Sequence, residues 1–436
     1  MELTIEKLVY GGDGLARLAP ANGAQRATAV FVPYVLPGER VEAAAVEERP
    51  GFIRARLEHV LEASELRTQP PCPYFGSCGG CHYQHTSYEQ QLRLKSEILR
   101  ETLRRVAKLD LEIDIQIHPS APLHYRNRTR FHVRTHPEFA IGYFRHGSHH
   151  LLSVRECPIS SPLINRALGQ LWREGESGSV PKEIAEIELF VDATDQRLMI
   201  ELYLHGESSS RNGLAKFATD LRASIPELHG LASFHRAISR SGVAEQAQSD
   251  LLQGARSMPY EVGTERYRVS AGAFFQTNRS LVPRMVEVVV DERKGRLALD
   301  LYSGVGLFAA PLARRFDRVV AVESAPVSAE DLRANVPSNV KVSAQSTEAY
   351  LTSVADTMQP DLIVADPPRA GIGQIVCAQI EKLRAKEFVY VSCDPATLAR
   401  DLKQLTSAGL TIAEVHLVDL FPQTFHIESI TVLRRI

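Results

Sequence analysis

The sequence predicts an α/β protein with a doubly wound parallel sheet in its C-terminal part. From about residue 265, short β-rich runs alternate with helical runs, a pattern typical of βαβ units. Residues 1 to about 60 instead carry short β-type runs separated by turn signals, which predicts a small antiparallel β-barrel. Mixed strand and helix patterns between them predict an α+β central region. Because 436 residues exceed the usual size of a single hydrophobic core, we expect two or three domains, and the three patterns favour three. Their predicted ranges are 1–62, 63–262 and 263–436.

The N-terminal barrel is predicted from LTIEKLVYGGDGLARL, ATAVFVPYVLPGERVEAAAV and FIRARLEHVLEAS. Small barrels of this kind bind single-stranded or looped RNA through an open face, although many serve only as structural modules. Both roles remain open from the pattern alone.

Composition limits the class of protein. Hydrophobic residues at 44% and charged residues at 23% are ordinary globular values, so the chain should fold throughout. The N-terminus lacks the features of a signal peptide, and no apolar run is long enough to span a bilayer. We therefore expect a soluble, cytoplasmic, monomeric protein with no membrane partner. A formal net charge of −2 means that any RNA contact must come from local basic patches.

Cysteines cluster in the stretch TQPPCPYFGSCGGCHYQH, where Cys72, Cys78 and Cys81 form C-x5-C-x2-C, and Cys157 is the other cysteine of the first half. Four thiolates suit either a [4Fe–4S] cluster or tetrahedral zinc. The string from Cys78 to His82 also matches a c-type haem attachment site, but no export signal accompanies it. Radical enzymes use a different spacing, C-x3-C-x2-C.

The central region begins with SYEQQLRLKSEILRETLRRVA, whose apolar spacing predicts an amphipathic helix. The segment HYRNRTRFHVR follows and mixes arginines with aromatic residues, a composition suited to phosphate contacts and base stacking. A half-buried strand with a charged outer side explains the segment equally well. Tyr143, Arg145 and His146 form a second patch of this type. The residues of the first patch are Tyr125, Arg126, Arg128, Arg130, Phe131 and Arg134.

A cofactor site is predicted at RLALDLYSGVGL, where Asp300 ends a strand and Gly304 and Gly306 form the following turn. Glycines allow the backbone to approach a ligand closely. The next strand, RVVAVE, ends in Glu323, which is suitably placed to accept hydrogen bonds from ribose hydroxyls. With Ala309 the glycines also satisfy the dinucleotide pattern G-x-G-x-x-A, so NAD is the rival cofactor. The D-x-x-x-G-x-G form resembles class I methyltransferases and favours S-adenosylmethionine.

A third strand, DLIVADPPRAG, ends in Asp366, and the proline after it fixes a rigid turn at the carboxyl edge of the sheet, where ligands bind. Amino-methyltransferases carry an aromatic residue after a similar Pro-Pro pair, whereas Arg369 stands here. This departure argues against methylation of an exocyclic amine.

A nucleophile is predicted in EFVYVSCDPATLARD, where Cys393 follows a strand and Asp394-Pro395 opens a helix. A thiol beside a helix N-terminus should have its thiolate form favoured. Methylation of uracil at C5 needs such a thiolate to add at C6. The alternative is a small buried filler at a strand end. LFPQTFHIESITVLRRI supplies Glu428 as a candidate general base, with His426 orienting it or the substrate, although a glutamate at a strand start is ordinarily unremarkable.

Together DLYSGVG, DPPRAG, VSCDPATLARD and FPQTFHIES resemble the RNA 5-methyluridine methyltransferase family, whose catalytic domain is a Rossmann-like class I methyltransferase fold. The resemblance implies that Cys393 is the nucleophile and Glu428 the base. It further implies that the N-terminal barrel is a TRAM (OB-like) domain and that the four cysteines hold a [4Fe–4S] cluster, with zinc as the alternative. Phe425 departs from the family, whose members often have glycine there. The implied cofactor or substrate contacts are Gln276, Tyr302, Glu323 and Asp366.

The resemblance implies S-adenosylmethionine-dependent formation of 5-methyluridine through a covalent cysteine adduct at uracil C6. The target uridine must be unpaired or flipped out, so a loop of 23S ribosomal RNA is the expected substrate. Four alternatives remain: transfer RNA as substrate, methylation of cytosine C5, methylation of an exocyclic amine, and a non-catalytic RNA-binding protein on a methyltransferase scaffold.

Overall fold

The computed structural model describes residues 1–19, 27–205, 211–235, 237–238, 244–245, 249–290 and 292–435. Three large sheets organise these residues, with six, seven and eight strands. No helix in the described part of the chain combines the length and the apolarity needed to cross a bilayer.

The six-stranded sheet is formed by the N-terminal residues, in the order β1-β5-β6-β4-β3-β2. Neighbouring strands are antiparallel except β4 and β6, which are parallel. Alternate residues such as Val30, Val32 and Val41 are buried in a core of their own, which is consistent with the predicted small barrel. The strands are β1 Glu2–Thr4, β2 Lys7–Leu8, β3 Asp13–Leu18, β4 Thr28–Pro33, β5 Arg40–Arg49 and β6 Phe52–Glu62.

A connecting segment leads from the cysteine-rich loop to the central sheet. Helix α1 spans Tyr88–Thr102 and begins at Ser87, whose side chain caps it by accepting a hydrogen bond from Gln90 N. A single π-helical turn, Leu103–Ala107, continues it, and strand β7 spans Ile115–His118. The apolar face of α1 packs into the core of the C-terminal region.

The seven-stranded sheet has the order β10-β9-β8-β11-β12-β13-β16, with helices α2 and α3 contacting it. Strands β14 and β15 form a separate two-stranded ribbon, and β17 and β18 form a hairpin that leads into the C-terminal region. The elements are β8 Arg128–Arg134, β9 Ala140–Phe144, β10 Leu151–Ser153, α2 Pro162–Glu176, β11 Ile184–Val191, β12 Leu198–Leu204, α3 Arg211–Ser224, β13 Leu228–His235, β14 Ala237–Ile238, β15 Ala244–Glu245, β16 Ser249–Gly254, β17 Ser257–Val262 and β18 Glu265–Ser270.

The eight-stranded sheet confirms the predicted doubly wound α/β fold. Its order is β21-β20-β19-β22-β23-β25-β24-β7, and the strands from β21 to β23 are parallel. Strand β25 runs antiparallel to both neighbours, and β7 pairs in parallel with β24 at the edge. The elements are α4 Val282–Val290, β19 Gly295–Leu301, α5 Ala309–Leu312, β20 Phe316–Val322, α6 Pro326–Asn335, β21 Val340–Ser343, α7 Thr347–Val354, β22 Leu362–Ala365, α8 Gly373–Leu383, β23 Glu387–Ser392, α9 Pro395–Ser407, β24 Leu410–Val418 and β25 Ser429–Arg435.

The strand order reverses at β19. The chain passes from β19 to β20 and β21 on one side, then returns to β22 and β23 on the other. In open α/β sheets, ligands bind outside the carboxyl ends of the strands at such a switch point. The carboxyl ends of β19, β20, β22 and β23 therefore locate the site.

Candidate active site

The turn after β19 is shaped by two glycines with left-handed backbone. Gly304 has φ +55° and Gly306 has φ +97°, a region that side chains disfavour. A Cβ on Gly306 would also lie 2.8 Å from Leu332 Cδ1, so a side chain there would clash. Tyr302 shares the left-handed conformation, with φ +61°, and is half-buried. Backbone strain at a non-glycine residue is frequent at functional sites.

Glu323 is held against this turn by backbone donors. Gly304 N donates to Glu323 Oε2 at 2.8 Å, and Ala325 N donates to Glu323 Oε1 at 2.6 Å. The carboxylate therefore has a fixed orientation at the end of β20. This position, beside a glycine turn, is suited to accepting hydrogen bonds from ribose hydroxyls.

Asp300 is fully buried at the end of β19, and among the described residues neither of its carboxyl oxygens has a hydrogen-bond partner of good geometry. Burial raises the pKa of Asp300 to about 8. Burying a carboxyl group without a hydrogen-bond partner costs free energy, and a bound ligand that donates to it or pairs with its charge removes that cost. S-adenosylmethionine carries both an ammonium and a sulfonium, so the charge and position of Asp300 fit this cofactor.

Asp366 and Gln276 face each other at the same edge. Gln276 Nε2 donates to Asp366 Oδ2 at 3.3 Å, and burial raises the pKa of Asp366 to about 7. Gln276 is buried, whereas Phe274, two residues earlier, is 63% exposed. The predicted contact residues Gln276 and Asp366 therefore lie together, next to an exposed aromatic ring that the sequence had not singled out.

Cys393 directly follows β23 and is half-buried. Asp394 caps α9 as predicted, since its Oδ1 accepts hydrogen bonds from Ala396 N and Thr397 N, both at 2.9 Å. The predicted effect on the thiol is wrong, however. Burial raises the pKa of Cys393 to about 12, and the carboxyl groups of Glu428 and Asp366 add to this rise. Asp394 already occupies the helix N-terminus, so the positive end of the helix dipole does not control the thiol.

Glu428 lies immediately before β25 and is 4% exposed. Burial and the nearby Asp366 carboxyl raise its pKa well above the ordinary value, while Arg369 opposes the rise. Ser392 pairs with Ser429 across β23 and β25, which places Cys393 and Glu428 at neighbouring strand ends. The carboxyl groups of Glu428 and Asp366 both raise the pKa of the Cys393 thiol. The structure thus brings the predicted nucleophile and the predicted base together.

His426 pairs with Arg369. An Arg369 guanidinium nitrogen lies 3.3 Å from His426 Nδ1, and burial followed by Arg369 lowers the pKa of His426 to about 3. His426 is therefore a neutral imidazole that accepts from Arg369. Arg369, noted in the sequence only as a departure, is the cation facing Cys393 and Glu428.

The four predicted ligand cysteines, Cys72, Cys78, Cys81 and Cys157, line one cavity of about 270 Å³. Arg126 lines it as well, and its Nε has no hydrogen-bond partner in the part of the chain that the structure describes. Burial raises the pKa of Cys78 to about 11 and that of Cys81 to about 12. Within the described residues, no three His, Cys, Asp or Glu side chains are grouped closely enough to hold a single metal ion. The thiols surround a space larger than one ion would need.

The segment HYRNRTRFHVR is a half-buried strand rather than a stacking surface. Tyr125 is 1% exposed and donates to Pro422 O, and Phe131 is fully buried, so neither ring can stack on a base. Arg128 and Arg130 both pair with Glu188 of the central sheet. In the second patch, Tyr143 is half-buried, while Arg145 and His146 are exposed beside the cysteine cavity.

Comparison with known proteins agrees with this geometry. The family model described as tRNA (Uracil-5-)-methyltransferase matches residues 87–436. The chain belongs to this family. It is accordingly an S-adenosylmethionine-dependent RNA methyltransferase acting on uracil C5, as the motifs predicted.

Relatives extend over the whole chain. An uncharacterized RNA methyltransferase of Aquifex aeolicus is 32% identical, covering 99% of this chain and 98% of that protein. The 23S rRNA (uracil(1939)-C(5))-methyltransferase RlmD of Vibrio parahaemolyticus is 30% identical, covering 99% and 95%. The structure of the Pyrococcus abyssi tRNA (uracil-54, C5)-methyltransferase in complex with S-adenosyl-L-homocysteine covers 99% of this chain and 100% of that one, with a TM-score of 0.76 and 23% identity. This last likeness shows the shared fold.

Proposed function

We propose that this enzyme methylates C5 of an unpaired uridine in 23S ribosomal RNA through a covalent bond between Cys393 and uracil C6. The observation that carries the mechanism is the position of Cys393, beside Glu428 and Asp366, at the carboxyl edge of the sheet. The RlmD relative supports ribosomal RNA as the substrate because it aligns over nearly the whole of both chains.

Transfer RNA is the second candidate substrate. The family model carries a transfer RNA name, and so does the solved structure with the same fold. Fold alone does not select the RNA, because the same scaffold can present different surfaces to it. The full-length RlmD relative, at higher identity, therefore supports ribosomal RNA more strongly.

The reaction begins with the thiol of Cys393. The Asp366 carboxylate accepts the thiol proton, which leaves Glu428 free for the later step, and the sulfur adds to C6 of the uracil. C5 then carries the electron pair that attacks the methyl group, which S-adenosylmethionine supplies when bound. Glu428 removes the C5 proton, the C6–S bond breaks, and Cys393 leaves as thiolate.

The raised pKa values suit this sequence of proton transfers. A carboxyl group that titrates near neutral pH can accept a proton and return it at working pH. The pKa of Asp366 is about 7 and that of Glu428 lies well above its ordinary value. Arg369 opposes the rise of both the Glu428 and the Cys393 pKa, so it favours the charged forms of base and nucleophile.

We propose a [4Fe–4S] cluster in the cysteine cavity. The donor set fits, since four thiols surround one space and Arg126 provides a positive charge toward their thiolates. A tetrahedral zinc ion held by the same four thiols is the alternative. The role of the cluster here is structural, because the methyl transfer moves no single electron. Protein purified without oxygen should contain iron and sulfide; stoichiometric zinc without iron would reject the cluster.

We propose that the chain has three domains with different roles. Residues 1–62 bind RNA, residues 63–262 hold the cluster and contact RNA, and residues 263–436 carry out the methyl transfer. The barrel and the central sheet each bury an apolar core of their own. Within residues 63–262, α1 packs against the eight-stranded sheet and β7 pairs with its strand β24. We propose that this segment connects the barrel and the central sheet, which contact RNA, to the active site. Because the substrate is RNA, we place the protein in the cytoplasm. We further propose that it acts as a monomer.

The substrate is tested by mapping 5-methyluridine across ribosomal and transfer RNA from cells with and without this protein. We expect one or more 23S positions to lose 5-methyluridine when the protein is missing. Loss confined to transfer RNA would select the second candidate. Loss of 5-methylcytidine instead would contradict uracil C5 as the target.

A further inference from the structure

The N-terminal barrel reaches the active site through the turn between β2 and β3. Tyr10, in this turn, donates its hydroxyl hydrogen to Cys393 O at 3.2 Å, across 383 positions of sequence. Within the described residues, no other side chain forms a hydrogen bond with Cys393. The flanking residues are anchored by neighbouring elements, since Ser429 Oγ donates to Ser392 O at 3.3 Å and Thr397 Oγ1 donates to Asp394 O at 3.2 Å. Tyr10 adds a contact from the barrel to the carbonyl of Cys393 itself.

The ring of Tyr10 also supports the segment that carries the base. Phe425 packs edge-on against Tyr10, with ring centroids 5.6 Å apart. The Phe425 ring also contacts the rings of His82 and His426, with centroid distances of 4.7 Å and 4.3 Å. Glu428 follows three residues after Phe425. One tyrosine thus contacts both the nucleophile segment and the base segment.

The turn is fitted closely to the cysteine-rich loop. Gly12 has φ +97°, and a Cβ there would lie 3.0 Å from the His82 ring. His82 N and Tyr83 N both donate to Gln423 O, at 2.8 and 3.0 Å. The barrel turn, the cysteine-rich loop and the segment before Glu428 are consequently one packed unit, and this packing fixes where Tyr10 lies.

We infer that Tyr10 is a positioning residue for the covalent step: its hydroxyl orients the Cys393 peptide, and its ring braces Phe425 ahead of Glu428. This inference rests on the proposed role of Cys393 as nucleophile. It assigns the barrel a part in catalysis that is separate from RNA binding. The hydroxyl acts on attack at C6, and the ring acts additionally on removal of the C5 proton.

The test is the rate of covalent adduct formation with RNA containing 5-fluorouridine, measured for wild type, Tyr10→Phe and Tyr10→Ala. Tyr10→Phe removes one hydrogen bond and should slow adduct formation about tenfold while leaving the KM for RNA unchanged. Tyr10→Ala should slow it further, and with ordinary RNA it should also slow product release. Tyr350→Phe is the matched control, since it removes a tyrosine hydroxyl on α7, outside the site.

The outcomes separate the inference from the proposed function. If wild type forms no adduct, the covalent mechanism fails, and the inference fails with it. If wild type forms the adduct and Tyr10→Phe matches its rate, the mechanism stands and the role of Tyr10 is overturned. A raised KM for RNA at an unchanged adduct rate would make Tyr10 an RNA contact instead. Equal melting temperatures of Tyr10→Phe and wild type establish that a slower rate is not unfolding.

Discussion

Two groups of cysteines in this chain share one property and differ in another. Burial raises the pKa of Cys393, Cys78 and Cys81 alike, so none of these thiols is activated by its position in the fold alone. Each group faces one guanidinium, Arg369 for Cys393 and Arg126 for the cavity thiols. The other neighbours differ. Cys393 also lies beside two carboxyl groups, whereas Cys78 and Cys81 lie beside other cysteines.

The difference indicates which thiol gives up its proton, and to what. A thiol beside carboxyl groups keeps its proton until one of them accepts it, so it can act as a reversible nucleophile. Thiols grouped around one cavity keep their protons until a positively charged metal centre displaces them, because cysteine binds metals as the thiolate. The kind of neighbour, carboxyl groups or other thiols, therefore separates the nucleophile from the ligands, whereas burial does not.

The largest effect is expected from Cys393→Ala, which removes the only nucleophile in the proposed mechanism. Turnover should fall by about 10⁴-fold or more, measured as methyl transfer to RNA. Cys377→Ala is the matched control because Cys377 is buried in α8, outside both cysteine sites. It should retain turnover and lose about 1 kcal/mol of unfolding free energy. Full activity of Cys393→Ala would show that Cys393 is not the nucleophile, and the distinction between it and the cavity cysteines would fail.

Glu428→Gln keeps the shape of the side chain and removes its basicity. Methyl transfer to C5 should proceed, while release of product slows about 10²- to 10³-fold because the C5 proton has no acceptor. The protein–RNA adduct should therefore accumulate with ordinary RNA, as a slower band in a denaturing gel. Release at the wild-type rate would exclude Glu428 as the base.

On the ligand side, Arg126→Met removes the cation that faces the cysteine thiols. Partners of metal ligands typically change metal affinity about 10- to 100-fold, so iron should be lost more readily to a chelator. Arg130→Met is the control, since Arg130 pairs with Glu188 on the central sheet. If both variants retained iron equally, the positive charge of Arg126 would have no role in holding the cluster on the cysteine thiolates.

The smallest effect concerns stability against pH. Burial raises the pKa of Asp300 to about 8 and of Asp366 to about 7, so between pH 4 and 8 the folded state holds protons that the unfolded state has released. The unfolding free energy should therefore fall as pH rises through this window and level off above it. Without cofactor, we expect the melting temperature at pH 8.5 to be about 2–4 °C below that at pH 6. Asp300→Asn should reduce the difference, and a melting temperature that rises over this window would contradict the carboxyl assignments.

Local patterns in the sequence predicted the parts of the molecule that depend on neighbours along the chain. Alternating β and helical runs indicated the parallel sheet, and strand ends placed Asp300, Glu323, Asp366 and Cys393 at one edge. Such residues meet because parallel strands share a carboxyl edge. The helix between β19 and β20 spans only Ala309–Leu312, because the chain re-enters the sheet at β20 after a short turn.

Contacts between segments far apart in the chain could not be predicted from the sequence. Tyr10 reaches Cys393 across most of the chain, and no local signal marks it. Arg126 sits in a segment that suggested RNA binding but faces the cysteine cavity. The direction of the Cys393 pKa likewise depends on Glu428 and Asp366, which burial and tertiary packing bring next to the thiol.

The central claim is a covalent bond between Cys393 and uracil C6, and mass spectrometry of a trapped complex tests it most directly. Enzyme, S-adenosylmethionine and RNA containing 5-fluorouridine are incubated, digested with nuclease and trypsin, and the peptides weighed. Fluorine on C5 cannot leave as a proton does, so the adduct should persist. We predict a methylated fluorouridine nucleotide on the peptide EFVYVSCDPATLAR, attached at Cys393. An unmodified peptide, or a nucleotide attached to a cysteine of the cavity, would contradict the account.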